Sequence, residues 1–563
     1  MIMWSEFIEP QTYDEAVNHP TYGKEWELAI KEEYDSMIKN GAWELVELPV
    51  GKNVVSCKWV FKAKRDASGQ IVRFKARLVA RGFSQVYGVD YLDTYSPVAK
   101  LTTYRIIFAL ASLQKWEIHG MDVVTAFLLG SLDEEIYMAQ PEGFMQNGMK
   151  RGLVCRLLKS IYGLKQAARV WNKKIEGFLR KLGFIQSNAD HCLYIHPELD
   201  IWIIIWVDDL LIAGKNERSI VSIKRQLSSA FEMKDLGKVS HFLGMRITQN
   251  SDGIAIDQAI YVRTILERFG MEESKPTSTP LATGTQLAKA TNDDELIDQR
   301  QYQAIIGSLM YAMLCTRPDI AYAVQQLSQF ASKPTNAHFQ AAKRVLRYLQ
   351  GSHNVGLIYG SHSKDLTAVQ GYCDANYAAD EDRKSISGYV FTLAGSPISW
   401  QAKKQSTIAL STVEAEYAAL TQAVKEAIWI QNLLKDLGMA KYSPRIINCD
   451  NQGTIALADN PTHHARTKHL DVQLQFVRDH VERRTIELSY CPTQEMTADI
   501  FTKALGRDRH RKLMESLGMQ ELESGTPSSV RLGRRISRIT SGSVELRNPP
   551  ILTAWQESCQ LRG

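Results

Sequence analysis

"IWIIIWVDDLLIAG", residues 201–214, is apolar on both sides of two adjacent carboxylates, Asp208 and Asp209. A carboxylate stripped of water is costly unless it is paired or holds a cation. Three readings follow: a membrane segment, a hairpin whose turn happens to be Asp-Asp, or a hairpin that presents acids to a metal. The apolar run before the acids is only Ile201–Val207, far short of the roughly 20 residues that span a bilayer. Ile, Val and Trp favour strands, and a second short apolar run, Leu210–Ala213, follows, so the stretch predicts a β-hairpin. Turns usually recruit Gly or Asn beside Asp, whereas Val207 and Leu210 flank this pair. A plain turn stays open as the alternative.

Working outward, 563 residues are too many for one ordinary domain, and roughly three or four units are expected. The chain is 44% hydrophobic and 23% charged, a globular composition able to bury large cores. Its net charge of +5 is mild, and the distribution says more. Residues 58–81, "KWVFKAKRDASGQIVRFKARLVAR", are dense in Lys and Arg, with Asp66 as the one acid and aromatics interleaved. That is either a surface that neutralises phosphates or a solvated strand face. The eight cysteines are scattered without a CxxC pair, the usage of a reducing compartment. No signal-peptide pattern opens the chain and no stretch is long and apolar enough to be a transmembrane segment, so an intracellular protein is expected.

Helical spacing of Trp26, Ile30, Tyr34 and Ile38 predicts an amphipathic helix within residues 1–40. Residues 43–81 read as strands with a turn at "RDASGQ", residues 102–116 as helix, and "HGMDVVTAFLLG" (119–130) as a strand running into a turn or short helix. "RVWNKKIEGFLRKLGF" is an amphipathic helix closed by Gly183. The Pro/Thr/Ser-rich stretch 273–295 predicts a linker, 300–350 a mainly helical segment, and 365–515 a second mixed unit. Residues after 520 are Ser/Arg/Gly-rich without a sustained period, which predicts disorder.

Asp122, in "MDVVTAF", is a further acid in an apolar strand pattern. Acids on neighbouring strands can hold two divalent cations about 3.5–4 Å apart, the arrangement polymerases use, and oxygen donors suit Mg²⁺ better than zinc. Spacing alone is weak evidence, but "KARLVARGF", "MDVVTAFLLG", "SIYGLKQAARVW", "VDDLLIAG" and "HFLGMRI" occur here in one order. In that order and spacing the chain resembles the reverse transcriptase of copia-type LTR retrotransposons over roughly residues 25–285.

The resemblance implies roles residue by residue. Asp122 is then the first catalytic aspartate and metal ligand, Asp208 the second metal ligand and Asp209 its catalytic neighbour. Phe127 stands where such enzymes place an aromatic against the incoming sugar, with an ordinary core ring as the alternative. Lys75, Arg77 and Arg81 resemble residues that grip the triphosphate, suited to charge-assisted hydrogen bonds. Lys165 and Gln166 match the segment under the nascent base pair, and "FLGMRI" (242–247) resembles the primer grip. Two departures are Trp206 where the family commonly has Tyr, expected to lie near the primer end, and Ala168 where it commonly has Pro.

In the second unit Asp374, Glu416, Asp450 and Asp499 stand in "GYCDANYAAD", "STVEAEYAAL", "INCDNQGTIAL" and "EMTADIFTKAL". Converging carboxylates repel unless cations lie between them, and the order resembles the two-metal ribonuclease H domain that follows reverse transcriptase in copia-type elements. "SISGYVF", "ISWQAKKQ", "TKHLD" and "ADIFTKAL" add to the match over about 366–506. Glu414 rivals Glu416 as the second ligand; the small residues Ala418, Ala419 and Ala423 favour Glu416. Asn376 and Ile386 depart from the usual residues, and "CPTQEMTAD" lacks the His that many cellular enzymes carry before the last Asp. His463, His464 and His469 lack cysteines at finger spacing, so phosphate contact or packing is expected of them, not zinc.

The implied fold is a multidomain α+β and α/β chain: a right-hand polymerase of fingers, palm and thumb, a helical connection, and an α/β RNase H-like domain. The expected boundaries are a helical extension at 1–40, reverse transcriptase at 41–285, thumb and connection at 286–365, RNase H at 366–515 and a disordered tail at 520–563. The implied cofactor is Mg²⁺, two per active site, with Mn²⁺ as substitute. The implied partners are an RNA template, a DNA primer, the RNA–DNA hybrid and dNTPs, with the element's own integrase or capsid protein beside them and no membrane. Localisation is expected in cytoplasmic virus-like particles, or in the nucleus. The sequence shows no protease, integrase-finger or zinc-knuckle motif, which predicts a processed or truncated piece of a longer polyprotein. The rival reading is a decayed or co-opted copy that binds nucleic acid without catalysis; a nuclease with a dead polymerase is a third.

Overall fold

The computed structural model describes residues 9–65, 70–145, 152–291, 294–360, 368–459 and 471–522. The opening stretch folds as the pattern predicts. Strands Ile201–Trp206 and Asp209–Gly214 pair antiparallel, with Val207 and Asp208 as the two-residue turn. They lie inside a six-stranded sheet, where Asp209–Gly214 pairs on its other side with Glu117–Val123. Apolar residues fill both faces of the hairpin because both faces are covered. Ile201, Ile203 and Ile205 enter one core with the helices Ala167–Lys181 and Glu217–Ala230. Trp202, Ile204 and Trp206 enter another with the helix Leu101–Gln114.

The N-terminal helix is not a free extension. Gly23–Lys39 lies on the strand Ile71–Ala80, and Trp26, fully buried, meets Phe61 and Phe74 edge-on at 5.3 and 4.7 Å. Ile71–Ala80 pairs with Cys57–Arg65 in a two-stranded ribbon that this helix covers. The ribbon's turn, 66–69, lies outside the described residues.

Residues 273–291 carry no regular secondary structure, but they are not a loose linker. Thr279 and Leu281 are buried, Arg347 Nε donates to Lys275 O at 2.7 Å, and the His338 ring contacts Ala288 O at 3.0 Å. The segment is a strap over the helices Gln299–Cys315, Ala321–Ser328 and Asn336–Gln350.

The C-terminal unit is built on a five-stranded sheet. Ser396–Lys404, Ile386–Leu393 and Gln370–Asn376 pair antiparallel, and Ile446–Cys449 and Glu487–Tyr490 extend the sheet in parallel. The boundaries between units are less clean than a linear reading expects. A separate five-stranded sheet joins His241–Phe242, Met245–Asn250 and Gly253–Asp257 to Val355–Gly360 and then to Met519–Glu521. Residues 519–521 are therefore strand, not tail; 523–563 lie outside the described residues.

One apolar cluster runs from Ala99 on the helix side of the central sheet to Met519. Arg105 pins the halves together although no carboxylate among the described residues bonds it. Its guanidinium donates to Ile398 O at 2.8 Å and to Leu314 O at 2.7 Å, at the carboxyl end of Gln299–Cys315, and lies 3.8 Å over the Trp400 ring. The negative end of the helix dipole and the indole face stabilise that buried charge. On the far side, Asp436 accepts from the Ser187 hydroxyl at 2.7 Å and from the amide of Asn188 at 2.8 Å.

Candidate active sites

The first centre lies where the central strands end. Asp209 faces Asp122 in register, and the amide of Val123 donates to Asp208 O at 2.8 Å. The backbones of three acids thus lie together where these strands end, all half-buried. Within the hairpin that the sequence predicts, Asp208 is in the turn and Asp209 opens the second strand. The strand ends where solvent begins, which lowers the cost of the charges. The turn itself is strained: Val207 has φ +54°, a left-handed conformation that a β-branched residue adopts at a cost of about 1–3 kcal/mol. Trp171 holds it there, its indole N–H donating to Val207 O at 2.5 Å.

Around this edge the structure assembles some expected residues and reassigns others. Ala76, Leu78 and Ala80 point into the core, so Lys75 and Arg77 project from the ribbon's opposite face, half-buried, and Arg81 is exposed. The Arg77 guanidinium lies 5.0 Å over the Tyr162 ring, and Tyr162 meets Phe127 edge-on at 4.9 Å. Tyr162 therefore links the basic ribbon to the residues following Asp122. The sequence reading quoted it within "SIYGLKQ" without giving it a role. Gly163 beside it is required: its φ is +90°, and a Cβ would collide with Ala80 O.

Lys165 is exposed and its ammonium donates to the Tyr91 hydroxyl at 3.1 Å. Gln166 is held within the protein. It is 1% exposed, and its amide donates to Asp90 O at 2.9 Å while accepting from Gln85 at 3.1 Å. A side chain so engaged braces the 82–91 loop. In segment 242–247, Leu243 and Gly244 form a turn with φ +46° and +68°, and the Tyr311 hydroxyl donates to Leu243 O.

The second centre stands on the C-terminal sheet. Cys373 and Cys449 are register partners on parallel strands, so Asp374 and Asp450, one residue on, project side by side. Glu416 approaches from the helix Thr412–Asp436, which Ala415 and Ala419 seat closely against Ala375. One carboxylate oxygen from each of Asp374, Glu416 and Asp450 lies within 4.8 Å of the others. Glu414 does other work: Leu410 N–H donates to its carboxylate and Ser411 caps its amide, which fixes the start of the helix. Asp499, expected as a fourth ligand, is held by Lys503 at 2.8 Å and Arg509 at 3.2 Å.

Burial pushes Asp374 up to about 6, with Asp499 and Asp450 adding to the rise against the pull of Lys503 and Thr502. Burial, then Asp374, pushes Glu416 up to about 10. Glu416 Oε2 is buried with no hydrogen-bond partner among the described residues. Crowded, desolvated carboxylates with an unsatisfied inward oxygen fit a hard divalent cation.

Residues 40–283 match the family model described as reverse transcriptase (RNA-dependent DNA polymerase). A transposon Ty5-1 protein of Saccharomyces cerevisiae is 39% identical over 311 residues, and this chain covers 100% of it with 54% of its own length. The chain belongs to the copia-type retrotransposon Pol family.

The retrovirus-related Pol polyprotein from transposon TNT 1-94 of Nicotiana tabacum is 42% identical over 92% of this chain and 39% of its own length. That from transposon RE1 of Arabidopsis thaliana is 36% identical over 91% and 34%. The chain thus spans well under half the length of these two relatives. A foamy viral protease-reverse transcriptase in complex with dsDNA covers 83% of each chain at 12% identity and a TM-score of 0.46.

Against the copia-type pattern, Trp206 does not face outward near the turn. It is 5% exposed and packs toward Tyr104, which stacks obliquely on Phe242 at 5.0 Å. Ala168 lies in the first turn of Ala167–Lys181, which forms without the Pro. Asn376 donates to Thr502 O at 3.2 Å, and Ile386 is fully buried. His463, His464 and His469 lie outside the described residues.

Proposed function

We propose that this copia-type Pol chain copies RNA and DNA templates into DNA at the first centre and cleaves the RNA strand of the resulting hybrid at the second. The register of Asp209 against Asp122 carries the first half of the reading, because it brings acids from separate strands together at the strand ends. In this reading the ribbon 57–80 with its covering helix is the fingers, the six-stranded sheet the palm, and the helices of 299–350 the thumb and connection. The C-terminal sheet, three antiparallel strands followed by two parallel ones, is the RNase H-like domain.

Asp122 and Asp208 would hold Mg²⁺, or Mn²⁺ in its place, at the first centre; Asp374, Glu416 and Asp450 would hold it at the second. When bound, the cation supplies charge that activates a hydroxyl or water and stabilises the leaving oxygen. The protein's own groups do the rest. Lys75, Arg77 and Arg81 present positive charge to the triphosphate. Phe127, steadied by Tyr162, places a ring that would exclude a 2′-hydroxyl. Lys165 and the loop it contacts border the path of the nascent pair. RNA template, DNA primer, hybrid and dNTPs are the proposed substrates. Association with the element's integrase or capsid protein, in cytoplasmic particles or the nucleus, is proposed from family membership alone.

The test is extension of a DNA primer on an RNA template beside cleavage of a labelled hybrid, using the wild type, Asp208→Asn and Glu416→Gln. The expected result is loss of extension alone in the first variant and of cleavage alone in the second. A well-folded wild type that binds primer–template but neither extends nor cleaves would favour the co-opted copy.

A further inference from the structure

One wall of the second centre has little structure of its own. Residues 493–495 form an exposed turn between the strand Glu487–Tyr490 and the short helix Thr497–Phe501. Yet this wall supplies groups to the centre at both its ends. The Thr493 hydroxyl donates to Asp450 Oδ2 at 2.7 Å, and Asp499 lies in the helix that the turn enters. Asp499 Oδ1 is buried without an aligned hydrogen bond among the described residues, while the Lys503 ammonium 2.8 Å away balances its charge. What fixes the direction of this carboxylate is its other oxygen, Oδ2.

A side chain from a different element organises the wall. The Arg509 guanidinium donates to Gln494 O, to Thr493 O at 2.8 Å and to Met496 O at 3.4 Å. It also donates to Asp499 Oδ2 at 3.2 Å. A planar fork of donors serves converging carbonyls and a carboxylate together, as a single ammonium does not. Arg509 is in turn held by its own helix, Arg507–Ser516. There the buried His510 meets the Tyr348 ring edge-on at 5.5 Å and contacts Asp319 O at 3.3 Å. The chain then runs into the strand Met519–Glu521, which pairs with Val355–Gly360. The anchor of the wall is thereby tied to the helices of 299–350, outside the sheet that carries Asp374 and Asp450.

We propose that Arg509 is a positioning residue of the second centre, setting the turn 493–496 so that Thr493 reaches Asp450 and Asp499 keeps its orientation. This rests on reading the centre as the one that cleaves the hybrid, and it adds a group that governs the cleavage rate without touching the substrate. Displacing groups at a reacting centre by about 1 Å costs about 10²-fold in rate.

The test uses the full chain and a labelled RNA–DNA hybrid, with single-turnover cleavage in Mg²⁺ and hybrid affinity in EDTA. Arg509→Ala should slow cleavage about 10²-fold with hybrid affinity and primer extension unchanged. Added guanidinium ion at a non-denaturing concentration should recover part of the rate, whereas Arg509→Lys should stay slow. Without metal, amide hydrogen exchange across 493–499 should quicken in Arg509→Ala and slow again with guanidinium. Full cleavage by Arg509→Ala would overturn the inference. So would weaker hybrid affinity with the saturated rate intact, which would make Arg509 a substrate contact. Slow cleavage with no rescue of rate or exchange would overturn it too, since Arg509 would then act through stability alone. Should Arg509→Ala not fold, Thr493→Val carries the test: slower cleavage at unchanged affinity supports the inference, and an unchanged rate overturns it. A wild type that binds the hybrid without cleaving it would remove the reading of the centre itself, while exchange would still report whether Arg509 sets the turn.

Discussion

Asp208 and Glu416 each test one centre without touching the other. Asp208→Asn keeps the turn's shape and removes a charge, so extension should fall about 10³-fold or more if a metal ligand worth several kcal/mol is lost. Single-turnover extension measures it, and hybrid cleavage should persist. The neighbouring glutamates separate ligand from cap. Glu416→Gln should abolish cleavage with little loss of stability. Glu414→Gln should leave cleavage intact and cost about 1 kcal/mol, the value of a weakened helix cap, read from a urea midpoint. If cleavage falls with Glu414→Gln instead, the ligand assignment is reversed.

Among elements, the helix Gly23–Lys39 makes the sharpest demand. Trp26 is fully buried between it and the ribbon strands. Trp26→Ala should destabilise the protein by about 3–5 kcal/mol in equilibrium unfolding. The ribbon carries Lys75 and Arg77, so dNTP affinity should weaken too. This helix was legible as an amphipathic pattern, but its partner was not, because nothing local in residues 23–39 names a strand some 40 residues on. The hairpin at 201–214 was fully legible: strand-forming residues alternate onto two covered faces, and the acids mark its end. Asp374, Asp450 and Glu416 could be read from strand and small-residue helix patterns. The bracing of Gln166 against Gln85 and Asp90 could not, since nothing in the sequence names partners some 80 residues earlier. Lys503 and Tyr162 lay inside quoted motifs, yet only the fold shows what each touches.

For the whole molecule, the shared core from Ala99 to Met519 and the Arg105 pin predict that the two centres are lost together. Calorimetry should show one main unfolding transition; two well-separated ones would mean the interface contributes little. A second global prediction concerns acid. Arg317 and Asp319 are buried and paired at 2.7 Å, and Tyr348 donates to Asp319 at 2.6 Å. Burial opposes the Asp319 charge, but Arg317 and Tyr348 outweigh it and hold the carboxyl below its usual range. A lowered native pKa stabilises the fold above the unfolded value of about 3.9 and stops doing so as pH falls through the native value. Asp319→Asn should therefore cost about 3–5 kcal/mol at neutral pH, with the gap to wild type closing below about pH 4.

The strand Met519–Glu521 pairs with Val355–Gly360, more than 150 residues earlier in the chain. During synthesis that earlier strand keeps one edge bare until Met519–Glu521 has been made. A message cut short or shifted in frame before Met519 yields a chain with every proposed catalytic acid in place and an open sheet edge, the feature that invites aggregation. Completing this sheet thus protects an edge that a chain ending before Met519 would leave open.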